Sequence, residues 1–392
     1  MQLGLSKADQ AFQAQVDAFV AEYWQGDEAR WRVALVAAGW SVPNWPVAAG
    51  GPGWSATQKY IYSRSCAARG APPLADVGVS VVGPMMLARG ILPDAGGSLP
   101  ARMLSDISQL RERWCAGWAE PIAGADLAES TTQALTDETG GVRVSGAKAW
   151  VGGGMDARWM LCLARRGADA DGFAGFAVDL QGSGVRRGAM ASWDGGDGFA
   201  DVWLADAPAV ELVQFNDADD ALAAIALAQP VTEAGGALAR AQYNVLADAL
   251  EVLADPELQA QAHEVELALC ALEAMELRWV DAVQRGQSEP FPPLALRLKG
   301  RDVLLSIGEL QINCLGYYAL PYPDEALLHN EGPIGPVGGT AGIRHTLARQ
   351  ISAQYETALH GSDRLEGLKD EIAAQLNLRL ANEDGHTTRK NA

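Results

Sequence analysis

From residue 8 to about residue 113 apolar positions recur every three to four residues, as at Phe12, Val16, Phe19 and Val20. That spacing predicts amphipathic helices, each with one face turned to a core. Pro43, Pro46, Gly50, Gly51 and Gly53 interrupt it, because proline lacks a backbone donor and glycine frees the chain to turn. From about 114 to 212 the texture changes to short apolar runs (142–144, 159–163, 173–178 and 202–204) divided by Gly and Asp turns. These predict antiparallel strands in a barrel or folded sheet. Helical spacing returns from 221 to about 378, with long segments over 221–253, 256–284 and 293–315 and breaks at Pro256 and around 288–293. Segregated blocks of helices, strands and helices predict an α+β fold. The residues after Leu380 form a polar tail that is expected to fray.

Composition narrows the classes of function. The chain has 392 residues, too many for one small core, so two or three structural units are expected. It is 48% hydrophobic and 20% charged, the balance of a globular protein rather than a disordered one. A formal net charge of −19 without a basic patch argues against nucleic acid as a partner. The five cysteines (Cys66, Cys115, Cys162, Cys270 and Cys314) lack CxxC spacing and read as buried small apolar residues in a reducing compartment. No run approaches about 20 apolar residues, so no membrane span is expected, and the polar, amphipathic start does not read as a signal peptide. A soluble, cytoplasmic protein is the expectation.

Two segments carry candidate chemistry. In WCAGWAEPIAGADLA (114–128), small residues around Gly117 and Gly124 let backbone approach a flat ligand, Trp114 and Trp118 offer apolar walls, and Glu120-Pro121 makes a rigid turn. The same residues also suit a plain strand–loop–strand connection. In SGAKAWVGGG (145–154), Trp150 either lies against an aromatic cofactor ring or is a core tryptophan before a hairpin turn. Neither glycine run has the GxGxxG form of a Rossmann site, and no P-loop or GxSxG elbow is present. His263, His329, His345, His360 and His386 have no metal-ligand spacing, and no metal is expected. Glu264, Glu266, Glu273 and Glu276 are read as a solvated helix face.

Together these segments resemble the acyl-CoA dehydrogenase family over nearly the whole chain, about 12–378. The N-terminal GWSVPNWP (39–46) and GGPGW (50–54), the 114–128 segment, GAKAW (146–150), LGYYALP (315–321) and EGPIGP (331–336) carry the resemblance. The last two are most similar to the large-subunit type of pimeloyl-CoA and related bacterial dehydrogenases. The resemblance implies an N-terminal helical domain (1–113), a middle antiparallel β-barrel (114–215), a C-terminal four-helix bundle (216–380) and the tail (381–392). It also implies FAD held by Trp118, Ala119, Trp150, Val151 and Gly152, substrate contacts at Ala125 and Gly316, and α,β-desaturation of an acyl-CoA thioester. An electron-transfer flavoprotein is the implied electron acceptor.

The departures from the family pattern sit at the site itself. Ala119, Ala125 and Gly152 stand where the family carries hydroxyl residues, each loss removing a side-chain hydrogen bond of about 0.5–1.5 kcal/mol. Gln229-Pro-Val231 replaces an HER motif. The C-terminal loop reads His360-Gly-Ser-Asp-Arg364. A shifted alignment makes Glu356 the match for the catalytic base; otherwise it is a surface carboxylate. Three functions follow: an active dehydrogenase, alone or in a heteromer; a degenerate subunit that scaffolds an active paralogous partner; or a flavin-free thioester-binding protein. The Ala/Leu-rich face of 268–275 predicts packing against another subunit, and the resemblance implies a homo- or heterotetramer.

Overall fold

The computed structural model describes residues 5–315, apart from 73–75, 123–126, 139, 168–171, 191–197, 219, 222–223, 225–234, 254 and 288–292. Five helices come first: α1 Lys7–Tyr23, α2 Glu28–Ala38, α3 Ala56–Ala68, α4 Gly83–Ala88 and α5 Leu99–Ser108. Their starts are written in the sequence. Ser6, Asp27, Ser55 and Ser98 each accept a hydrogen bond from a backbone N–H of the first turn, and Ser55 and Gln58 form a reciprocal capping box. Phe12, Val16, Trp31, Leu35 and Ile61 bury the inner faces of α1, α2 and α3 in one cluster, which Trp40 joins from the loop after α2. Trp45 donates from Nε1 to the Val79 carbonyl at 2.9 Å and lies against Gly83, where a Cβ would collide with the indole.

Seven strands follow: β1 Trp114–Gly117, β2 Gln133–Thr136, β3 Val142–Gly152, β4 Trp159–Arg166, β5 Phe173–Asp179, β6 Val185–Met190 and β7 Phe199–Phe215. They form one sheet in the order β1-β4-β2-β3-β7-β5, with β6 paired to β7 and β5 also paired to β4. The expectation of antiparallel pairing holds for most of the sheet but not all of it: β4 runs parallel to both β1 and β2. The reason is connectivity, since β4 enters between two strands that precede it rather than folding back from a hairpin. Along β4, Met160, Cys162 and Ala164 join one core cluster while Leu161 and Leu163 join another. Both faces are therefore covered, and this strand reads as a continuous apolar run rather than an alternation.

Three long helices come last: α6 Gly236–Leu253, α7 Pro256–Gln284 and α8 Pro293–Leu315. Tyr243, Leu246, Leu269, Leu272, Val303 and Ile307 are buried between them. The expected fourth bundle helix and the polar tail would fall on residues 316–392, outside the described residues. Helix α3 packs on α6 and α7. At that seam Arg240 grips Glu273 with two bonds of 3.1 and 2.8 Å, and Arg64 adds a third at 3.1 Å. Among the described residues no helix is long and apolar enough to cross a membrane.

Glu273 and Glu276 are not a solvated face: Glu273 is the half-buried hub just described, and Glu276 is only 5% exposed, accepting from the Gly236 N–H at 3.1 Å. Helical periodicity marks which face a residue occupies, not whether another helix covers that face. Likewise Cys66, Cys115 and Cys162 are buried as expected, but Cys270 is exposed and Cys314 half-buried. Cys270 lies on the outer side of α7, within 3.5 Å of the Arg240 guanidinium.

Candidate functional site

The two segments singled out in the sequence come together in space. Trp118 and Ala119 follow β1, and Trp150, Val151 and Gly152 end β3. The contact arises from an irregularity in β3. Lys148 pairs with Val202 and Val151 with Ala200, so two residues of β3 face one of β7, which is a β-bulge. The bulge leaves the Ala149 N–H free to donate to the Ala119 carbonyl at 2.9 Å, stitching the first segment to the second. Trp150 takes a left-handed backbone with φ of 56°. That conformation costs an L-residue about 1–2 kcal/mol and persists where the surroundings impose it, commonly at functional sites.

Trp150 is half-buried, edge-on to Phe199 with ring centroids 5.8 Å apart and an interplanar angle of 72°. Val151 is buried in the sheet core, and Gly152 is exposed. A Cβ at Gly152 would meet nothing closer than Phe199 at 3.7 Å. Trp118 and Ala119 are half-buried. Trp114 is buried and stacks on Trp159 at 5.9 Å and 23° as part of the core, and the two indoles line a cavity with Leu99, Met103 and Glu112. Ala125, Gly316 and Glu356 lie outside the described residues.

Under this pair of segments lies a buried ion pair that the sequence reading passed over. Lys148 is fully buried, with Nζ 2.8 Å from Glu120 Oε1 and 3.5 Å from the Trp118 carbonyl. Glu120 also accepts from Ser130 Oγ, from the Thr131 N–H and hydroxyl at 2.7 and 2.8 Å, and from the Thr132 N–H and hydroxyl at 3.1 and 2.5 Å. Burial alone would push this carboxyl up, but the ammonium and the hydroxyl donors hold it well below the usual range. The Lys148 stem fits because residue 117 is glycine: a Cβ there would meet Met160 Sδ at 2.8 Å and Lys148 Cγ at 3.0 Å. The signal was present, since Lys148 is a charge at an inward position of a strand, and an inward charge demands a partner. The turn after β3 is tied by the Gly153 N–H to the Gly198 carbonyl at 2.8 Å.

This arrangement offers backbone edges, two indoles and an unobstructed glycine, which suit a flat, largely apolar ring system held by main-chain donors. The open space at Gly152 leaves room for such a ring beside the turn that ends β3.

A sequence profile described as the acyl-CoA dehydrogenase middle domain matches residues 115–203. The chain is 31% identical over 206 residues to acyl-CoA dehydrogenase FadE34 of Mycobacterium tuberculosis, covering 52% of this chain and 28% of that protein. It is 30% identical over 181 residues to acyl-CoA dehydrogenase IpdE1 of the same organism, covering 45% and 46%. The matches thus span less than half the length of these curated relatives. In fold it is similar to the ChsE4-ChsE5 complex from Mycobacterium tuberculosis, with a TM-score of 0.72 at 19% identity over 97% of this chain and all of that one. It is equally similar to the Tcur3481-Tcur3483 steroid ACAD, with a TM-score of 0.72 at 20% identity over 97% and 99%. Residues 115–203 are thus similar to the middle domain of acyl-CoA dehydrogenases, the curated relatives that match the chain are acyl-CoA dehydrogenases, and the chain shares its fold with solved structures of such proteins.

Proposed function

We propose that the chain is a cytoplasmic, FAD-dependent acyl-CoA dehydrogenase subunit that desaturates an acyl-CoA thioester between its α and β carbons. One observation carries the reading: the bulge in β3 turns the Ala149 N–H onto the Ala119 carbonyl, so that Trp118-Ala119 and Trp150-Val151-Gly152 form one edge. Bound there, FAD supplies the acceptor for the hydride that leaves the β carbon. The chain's own contribution is to orient and to keep water out. Trp150 and Phe199 form an apolar corner, the main chain of 118–119 and 151–152 supplies polar contacts, and Lys148 with Glu120 fixes the spacing of the two segments from below. Removal of the α-proton is assigned to Glu356, and substrate contact to Ala125 and Gly316. Electrons then pass to an electron-transfer flavoprotein.

A second reading is favoured by the composition of the site. Ala119 and Gly152 offer no side-chain hydroxyl, and the likeness to a complex named for two different chains supports a heteromer in which a paralogous partner holds the competent site. Purification alone and co-expressed with a paralogous acyl-CoA dehydrogenase chain, followed by flavin content and α-proton exchange of an acyl-CoA analogue, separates the two. Flavin and exchange in this chain alone support the first reading, and Glu356→Gln should then abolish exchange with flavin content intact. Exchange only with the partner present, unaffected by Glu356→Gln, supports the second.

A further inference from the structure

The turn that leaves β3 contains Gly152, Gly153 and Gly154 in succession. Three glycines supply no side chain with which to hold a conformation, and they carry a large entropic cost of ordering. Yet Trp150, just before them, is held in a left-handed backbone, a state that relaxes unless both flanks are fixed. The near flank is fixed by the sheet and by the Ala149–Ala119 bond. On the far flank a side chain reaches in from another strand: the half-buried Arg187 of β6 donates from Nη1 to the carbonyls of Met155 at 2.8 Å and Gly154 at 3.3 Å. Its neighbour Arg186 does something different, lying over the Trp203 ring at 3.7 Å. Among the described strands β6 pairs only with β7, so Arg187 is its direct tie to the end of β3.

We propose that Arg187 is a positioning residue that clamps the 152–155 turn and so fixes Trp150 and Gly152 for the cofactor. The inference rests on the flavin reading above. A guanidinium bonded to two successive carbonyls defines both distance and direction, which an ammonium does less well and a thioether not at all.

The test compares wild type, Arg187→Met, Arg187→Lys and, as a control one residue away, Arg186→Met. Two readouts are taken on the full chain: hydrogen–deuterium exchange of the peptide covering 150–157, and FAD affinity by titration, with thermal midpoints recorded alongside. Arg187→Met should raise exchange in that peptide and weaken FAD binding about tenfold, the effect of losing a charge-assisted hydrogen bond. Arg187→Lys should restore part of both, and Arg186→Met should change neither. Unchanged exchange in Arg187→Met overturns the clamp. Raised exchange with unaltered FAD affinity overturns the positioning role. A loss of affinity that simply follows the thermal midpoint across all variants, Arg186→Met included, also overturns it. If wild type takes up no FAD, the flavin reading itself fails, and the positioning role falls with it whatever the exchange data show.

Discussion

Lys148 Nζ sits 2.8 Å from Glu120 Oε1 with neither side chain reaching solvent to any extent. The lysine comes from the strand that ends in Trp150, and the glutamate follows Trp118-Ala119 directly. A buried pair of this kind owes little to Coulomb attraction alone, because desolvation offsets most of it. Its strength lies in the donors of Ser130, Thr131 and Thr132 that complete the shell around Glu120. Removing one partner leaves the other charge buried. Lys148→Met should therefore destabilise the chain by about 3–5 kcal/mol, whereas Lys148→Met with Glu120→Gln should recover much of that loss. Denaturant unfolding measures both, and equal destabilisation by the single and double variants would contradict the assignment.

The two buried glutamates should respond to pH with opposite signs. Glu120 has a folded-state pKa below its unfolded one, so its contribution is present above the ordinary glutamate value and is lost as pH falls towards the folded pKa. Glu276 is pushed up to about 7, mainly by burial and further by Glu273, against the Gly236 N–H and Arg64. The folded state then binds the extra proton between the two pKa values. Stability on this account falls as pH rises towards 7, with a limiting slope of about 1.4 kcal/mol per unit. Glu276→Gln should remove that loss and leave the acid limb in place. Thermal midpoints from about pH 2, well below the unperturbed Glu value, to about pH 8 test this. A neutral limb of the same slope in the variant would contradict it.

Trp150→Ala removes the half-buried indole that meets Phe199. A lost aromatic contact of about 1.5–3 kcal/mol corresponds to FAD binding roughly 10- to 100-fold weaker. Titration of apoprotein with FAD measures it, and wild-type affinity in the variant would move the ring system elsewhere.

Gly152→Ser tests whether the missing hydroxyl matters. The position has no left-handed φ and room for a Cβ, with Phe199 at 3.7 Å as its nearest neighbour. The variant should fold normally and hold FAD more tightly, by up to about tenfold for a net 0.5–1.5 kcal/mol hydrogen bond. Unfolding by Gly152→Ser would show that the glycine is a steric requirement and not a substitution the site absorbs.

Much of the fold was legible in the sequence for reasons these residues make plain. The helix starts at Ser6, Asp27 and Ser55 are local chemistry, and the inner faces marked by Phe12, Val16 and Val20 follow from period alone. Trp118 and Trp150 stand out because each sets a flat apolar face beside small residues that let backbone approach a ring. What stayed hidden depended on non-local pairing. The parallel placement of β4 between β1 and β2 is set by the whole sheet. β2 and β6 are short and only partly apolar, with β6 carrying Arg186 and Arg187, so they gave no apolar run. Lys148 meets Glu120 across 28 residues, and Arg187 reaches carbonyls 32 and 33 residues away, which no local pattern encodes. Glu276 was misread because its covering groups come from α3 and the start of α6.

Whether Trp118, Trp150 and Gly152 hold a flavin is decided by the flavin content of the purified chain, read from its visible absorbance and by titrating apoprotein with FAD. The account predicts close to one FAD per chain at saturation, with affinity that falls in Trp150→Ala. A well-folded chain that stays colourless, and takes up no FAD either alone or with its paralogous partner, would contradict it.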